Sequence, residues 1–392
     1  MDFKLKGETK EHSEQDKNFV KKELDQIRGF VGDLSIEDLK QGDWFVKLLA
    51  FSLDQYVNTV DAEYFKQKYP NLPPDAVVDA RIKMASNYAS IEGAITSTAY
   101  SGAIAATIGS GGGASPLTLP AGGASFAIDL VYTSYLQLRM TYDISVLYGV
   151  PINIKDPDDT WKLVKLAFGI KAGETINRGA MKSIPAFVRP LIKKIFSGST
   201  LTAAKSLPVI GKHLLQRNII KFAIPAVTIP VTTAMNWWLT KLAGDRAKQL
   251  LRREAKIIES TGRIIDETED FELLMSILWL LINVDEAVLD EERLFLHHLT
   301  LCAEQEDKAT PETMEFLEKF RSQIEIDEDA VWDKVDTVSA DAAPKLFKVA
   351  VIASAVDGKM SKKELDFLER LADRLRVPFD KKLIDDMKRK WQ

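Results

Sequence analysis

Residues 93–128 form a run of 36 positions without a single Asp, Glu, Lys or Arg. A stretch so free of charge folds inward or meets lipid. It does not read as one membrane-spanning helix, because Gly109, Gly111, Gly112, Gly113, Pro116, Pro120, Gly122 and Gly123 interrupt its middle. Two largely apolar arms remain, roughly 94–108 and 119–138, on either side of a Gly-Ser-Ala-Pro hinge. The pattern predicts a helical hairpin whose small residues allow close helix approach, in a bilayer or in a tight core.

A second uncharged run covers residues 222–240, 19 positions, which meets the bare length of a bilayer span. Pro225, Pro230 and Asn236 argue against an ordinary spanning helix. Trp237 and Trp238, followed by Lys241, have the form of an interfacial anchor. The competing reading is a buried aromatic pair. Permanent spanning, peripheral or conditional insertion, and a fully soluble core are the three outcomes for these runs.

Charge is segregated along the chain. The formal net charge of −5 combines 14 basic and 19 acidic residues in 1–150, 19 and 7 in 151–262, and 19 and 31 in 263–392. The middle segment is therefore +12 and the last third −12. No acidic residue occurs in 175–244, where Arg178, Lys182, Arg189, Lys193, Lys194, Lys205, Lys212, Arg217, Lys221 and Lys241 supply ten basic ones. Each Lys or Arg near an anionic bilayer contributes about 1 kcal/mol. The candidate membrane or anion contacts are Arg189, Lys193, Lys194, Lys212, Arg217, Lys221, Trp237, Trp238 and Lys241. Docking of the basic segment on the acidic C-terminal third is the alternative. Nucleic-acid binding fits poorly, because aromatic residues are not interleaved with the basic ones.

Other function classes are constrained by what is missing. One cysteine, Cys302, excludes a disulfide framework and a Cys-rich metal site and suits a reducing compartment. No P-loop, nucleophile elbow or H-E-x-x-H motif occurs, and the glycines at 109–113 lack a following Lys. The first twenty residues have no apolar core, so no secretory signal peptide is expected. Arg139 and Asp143, four apart, are expected to form a surface or interfacial ion pair.

No region alternates like a strand, so the fold class is all-α. A disordered leader over 1–17 is expected to precede a helical domain over 18–262. Within it Ser35–Asp38 reads as a capping box, 44–56 as a helix, and Pro70–Pro74 as a turn before a helix starting near Asp75. An acidic linker over 263–270 then leads to a second domain, 271–392. That domain contains an internal repeat. Val284-Asp285-Glu286 through Glu292 aligns with Val356-Asp357-Gly358 through Glu364 at an offset of 72, and Phe295, Leu296 and Leu299 align with Phe367, Leu368 and Leu371. Each copy reads as helix, short turn, helix. Asp285 with Glu292, and Asp357 with Glu364, would let two carboxylates converge on a divalent cation such as Ca²⁺ or Mg²⁺, with Asp290 or Ser361 as an added oxygen. Helix capping by Ser361 and Glu364, with Gly358 in the turn, explains the same residues without metal. His297 and His298 point about 100° apart on a helix and cannot share one ion.

Two stretches carry a family resemblance. Leu119-Pro120, Gly122-Gly123, Leu138-Arg139 and Leu147-Tyr148-Gly149 resemble the EcsC family, as do Leu207-Pro208-Val209-Ile210-Gly211, Ile224-Pro225, Asn236 and Gly244-Asp245-Arg246-Ala247. The likeness covers roughly 45–262 and departs after Pro225, where Ala226-Val227-Thr228 and a second proline replace the usual small-residue continuation. The C-terminal repeat, with Val356-Asp357-Gly358 and Ser361-x-x-Glu364, is similar to TerB-type tellurite-resistance modules, although Glu286 stands where a glycine is usual. The resemblance implies a bacterial, all-helical protein, cytoplasmic and peripheral at the inner membrane. It links the chain to stress response, defence or transporter function, without an established catalytic activity. The expected function is therefore non-enzymatic membrane association, with an anionic membrane surface or membrane protein complex as partner. The acidic module is expected to bind a cation or protein partner. The alternative is a soluble helical scaffold or effector.

Overall fold

The computed structural model describes residues 13–35, 37–38, 42–109, 120–169, 211, 214, 229–268, 270–284, 290–304, 310–322, 326–356 and 360–391. Among them are fourteen α-helices and no strand, so the chain is all-α. Two compact units divide it between Leu251 and Arg252.

In the first unit the helices are α1 (Glu14–Gly32), α2 (Asp43–Leu53), α3 (Ala62–Lys68), α4 (Pro74–Gly109), α5 (Pro120–Leu147), α6 (Pro157–Phe168) and the first part of α7 (Ile229–Glu267). Prolines open α4, α5 and α6, and Pro230 sits in the first turn of α7. At those positions the missing N–H costs nothing and the fixed φ suits a helix. Pro120 therefore begins a helix rather than breaking one, and Gly122 and Gly123 lie inside it. The two arms of the predicted hairpin are present as α4 and α5, packed on each other, and the hinge residues 110–119 lie outside the described ones. Helix α5 is the hub, touching α1, α2, α3, α4 and α6. The core gathers Val20, Leu24 and Ile27 of α1, Trp44, Phe45 and Leu48 of α2, Leu130, Tyr132 and Leu138 of α5, and Leu163 of α6.

Two expectations about boundaries need correction. Helix α1 begins at Glu14, capped by Ser13, whose hydroxyl accepts from Asp16 N at 3.1 Å, so residues 14–17 are helical rather than a leader. Residues 1–12 lie outside the described ones. The acidic stretch 263–270 is mostly helix as well. Helix α7 continues to Glu267 because Ile257 and Ile264 anchor it in the second core, and the units divide earlier. Asp270 is a helix N-cap, accepting from Leu273 N at 2.9 Å. The Ser35–Asp38 capping box forms: Ser35 N donates to the Asp38 carboxylate at 2.8 Å and Asp38 N to Ser35 Oγ at 3.0 Å.

The second unit contains the end of α7 and helices α8 (Phe271–Asn283), α9 (Asp290–Ala303), α10 (Pro311–Ser322), α11 (Glu328–Asp336), α12 (Ala343–Ala355), α13 (Lys362–Leu375) and α14 (Lys381–Trp391). The sequence repeat is a structural one. Both ends of α8 and of α9 recur 72 residues later as the ends of α12 and α13. Helices α8 and α12 pack on each other, each also touching the other copy's second helix. The copies extend outward, since α10 follows α9 as α14 follows α13, and α11 precedes α12 as the end of α7 precedes α8. At matched positions of the paired central helices, Leu278 and Leu281 of α8 answer to Ala350 and Ala353 of α12, all fully buried. Large against small is how two copies of one helix interdigitate without overfilling the core.

Candidate functional site

Helix α7 lies in the hairpin by way of an inward stripe of Asn236, Thr240, Ala243, Gly244, Ala247 and Leu251, all buried. Two glycines allow the approach. A Cβ on Gly244 would stand 2.8 Å from Ile82 Cγ1 of α4 and 2.9 Å from Met140 Sδ of α5. A Cβ on Gly93 would stand 2.9 Å from Asn236 Nδ2 and 3.3 Å from Thr233 Cα. Between these contacts Asn236 Nδ2 donates to Glu92 Oε2 of α4 at 3.0 Å and to Asp129 Oδ1 of α5 at 2.6 Å. All three side chains are at most 2% exposed. Glu92 and Asp129 are the charged residues that flank the uncharged run, so its two edges meet in space at one amide.

The outward face of α7 carries the aromatic pair. Trp237 is 37% exposed and Trp238 55% exposed. The buried-pair reading is thereby overturned, because Asn236 and Thr240 occupy the inward positions and turn their neighbours outward. Lys241, one turn on, bonds Asp245 at 2.6 Å with both side chains 42% exposed. The other candidate contacts, Arg189, Lys193, Lys194, Lys212, Arg217 and Lys221, lie outside the described residues. Gly211 is described and packs backbone to backbone, for a Cβ there would come within 2.7 Å of Gly42 Cα.

A second polar centre lies deeper in the first unit. Asp143 is fully buried and paired with Arg81 of α4 through both Nε, at 2.7 Å, and Nη2. Tyr56 donates to the other carboxylate oxygen at 2.6 Å. The expected Arg139–Asp143 surface pair is therefore corrected: a partner 62 residues away takes the carboxylate. Arg139 instead lies between the rings of Tyr56 and Tyr135, at 4.3 and 4.2 Å, and donates to Ser52 O at 3.0 Å. Tyr135 and Tyr132 donate to Glu23 of α1 at 3.2 and 2.8 Å. Burial raises the Glu23 carboxyl above its ordinary value, although both tyrosines and Arg139 oppose it. Burial also raises Asp143, with Arg81 and Tyr56 opposing. Burial works against the Arg81 charge, yet Asp143 outweighs it and holds the guanidinium above its ordinary value. Burial, then Glu23, pushes both Tyr132 and Tyr135 well up, so these phenols stay protonated donors at neutral pH. Each group is committed to another protein group across helices α1, α2, α4 and α5, which is the character of a structural network.

In the second unit Glu292 and Glu364 occupy the third positions of α9 and α13 and are 5% and 6% exposed. Glu364 closes a capping box: its Oε2 accepts from Ser361 N at 2.6 Å while Ser361 Oγ accepts from Glu364 N at 3.1 Å. Asp285 and Asp357 lie outside the described residues, and among the described ones no group of three His, Cys, Asp or Glu could hold a metal ion. Of each expected carboxylate pair only the glutamate, Glu292 or Glu364, is described. His297 is exposed, whereas His298 is buried and lies 3.1 Å from Glu254 of α7. The matched residue of the second copy, Arg370, bonds Glu328 of α11 at 3.2 Å, so both halves tie the same position to their leading helix.

Among the described residues no helix is long and apolar enough to cross a membrane. Comparison of the chain with protein-family models, with curated proteins and with solved structures finds no match.

Proposed function

We propose that this chain is a non-enzymatic, membrane-associated protein that docks on an anionic bilayer surface through its middle segment. The observation that carries the reading is the exposed Trp237–Trp238 pair beside Lys241 on α7. Indole rings prefer the headgroup region, where an apolar face and an N–H donor are both satisfied. The excess of twelve positive charges over 151–262 supports attraction to anionic lipid, which decays within a Debye length of about 10 Å at 0.1 M salt. The acidic second unit is the partner-binding module of this reading, taking a protein or a divalent cation. The EcsC-like and TerB-like motifs belong to the same reading and supply its bacterial, stress, defence or transporter context.

Flotation of the full-length chain with phosphatidylcholine vesicles, with and without phosphatidylserine, tests the docking. The expected result is binding that requires phosphatidylserine, falls with added salt, and drops severalfold in the Trp237→Ala/Trp238→Ala variant. Repeating it with Ca²⁺ or Mg²⁺ examines the second unit. Absence of any binding, or binding indifferent to both lipid charge and the two tryptophans, rejects the proposal.

A further inference from the structure

Three helices lose their charges at one level, and that level is fixed by the Asn236 contacts. From Asn236 to Gly244 helix α7 advances eight residues, while its contacts recede from Glu92 to Ile82 on α4 and advance from Asp129 to Met140 on α5. Helix α7 thus runs antiparallel to α4 and parallel to α5, with its start on the hairpin-tip side. On that side α4 has no charged residue from Gly93 to its end at Gly109, α5 has none from Pro120 to Ile128, and α7 has none from Ile229 to Thr240. At 1.5 Å per residue these uncharged ends extend about 25, 13 and 10 Å beyond the Glu92–Asn236–Asp129 contact on α4, α5 and α7. On the opposite side charges return after about 8 Å at Lys241 on α7, about 13 Å at Lys83 on α4 and about 15 Å at Arg139 on α5.

We propose that this uncharged three-helix end enters a single bilayer leaflet as a prong, with the Glu92–Asn236–Asp129 contact at the waterline. The inference deepens the membrane reading above and rests on it. The hydrocarbon core is about 30 Å thick, so a prong of about 10–25 Å enters one leaflet without crossing both. Trp237 and Trp238 project from α7 at the level of the polar contact, where interfacial aromatic residues sit. Lys241 follows one turn on the water side, placed for headgroup phosphates. Apart from the terminal turn of each helix, the backbone satisfies its own hydrogen bonds along the prong, which lipid requires. The buried carboxylates and amide stop at its base, which sets the depth.

The test places single cysteines in the full-length chain in a Cys302→Ser background. One is Ala105→Cys in the uncharged end of α4, the other Gln249→Cys on the exposed water side of α7. Both carry an environment-sensitive fluorophore and are mixed with phosphatidylcholine–phosphatidylserine vesicles. Support is quenching of the Ala105→Cys label by acyl-chain nitroxide with protection from iodide, and the reverse pattern for Gln249→Cys. An unlabelled Ala105→Asp variant should keep the wild-type circular dichroism spectrum and float severalfold less. If the chain floats but both labels remain quenched by iodide as in free protein, the prong is overturned and surface docking stands. Flotation of Ala105→Asp equal to wild type overturns the prong in the same way. If the chain does not float, docking and prong fall together.

Discussion

In an Asp143→Asn variant the Arg81 guanidinium, 9% exposed, would keep its place but lose the anion it faces. Removing one member of a buried ion pair costs about 3–5 kcal/mol, because the remaining charge is left desolvated without compensation. Two features pull the expectation to the lower end of that range. The new amide oxygen still accepts from Tyr56, and burial already raises the Asp143 carboxyl, so part of the gain from its charge is offset in the native protein. For a unit of this size each kcal/mol moves the melting midpoint by about 2–4 °C, so a loss of about 3 kcal/mol predicts a drop of about 6–12 °C. Thermal unfolding followed by near-ultraviolet circular dichroism reads the midpoint, and hydrogen exchange in α4 and α5 assigns it to the first unit. The Arg81→Met/Asp143→Leu double variant discriminates further. It removes both charges, leaves the Tyr56 hydroxyl without its acceptor at a cost of about 1–3 kcal/mol, and should recover when Tyr56→Phe is added. A midpoint for Asp143→Asn within measurement error of wild type, or a double variant as unstable as the sum of its singles, would refute the reasoning.

Glu23 is raised by burial, so its contribution is full below the unfolded carboxyl value and lost as pH rises through the folded one. Glu23→Gln, neutral throughout, should therefore be more favourable relative to wild type at pH 7 than at about pH 4, and denaturant midpoints at both pH values check the sign. Ser361→Ala removes one arm of the α13 capping box and should destabilise the second unit by about 0.5–2 kcal/mol, seen in urea unfolding monitored by its own peptides in hydrogen exchange.

Much of this architecture is written in local patterns. Helical periodicity and proline placement reveal α2, the α4–α5 hairpin and the 72-residue repeat, because amphipathic spacing and first-turn prolines act within a few residues. What escapes is anything decided by a distant partner. The spacing of Arg139 and Asp143 suggests a pair, but Arg81 outcompetes it from another helix, and two aromatic rings hold Arg139 instead. The edges of the uncharged run are visible as Glu92 and Asp129, yet their meeting at Asn236 depends on how α7 packs. The orientation of Trp237 and Trp238 is equally illegible, since it follows from which face of α7 the hairpin takes. A signal existed in the small and polar residues Asn236, Thr240 and Gly244, spaced by four, which mark the inward stripe.

The pairing of α8 with α12 also governs how the chain is made. During synthesis α8 emerges 72 residues ahead of its counterpart, which at about 5–20 residues per second leaves roughly 4–14 s of waiting. Throughout that interval the surface of α8 that α12 covers has only part of its native packing, supplied by α9, α10 and α11 as they emerge. A ribosome stalled between the two copies would hold a sticky nascent half-domain, a natural client for chaperones.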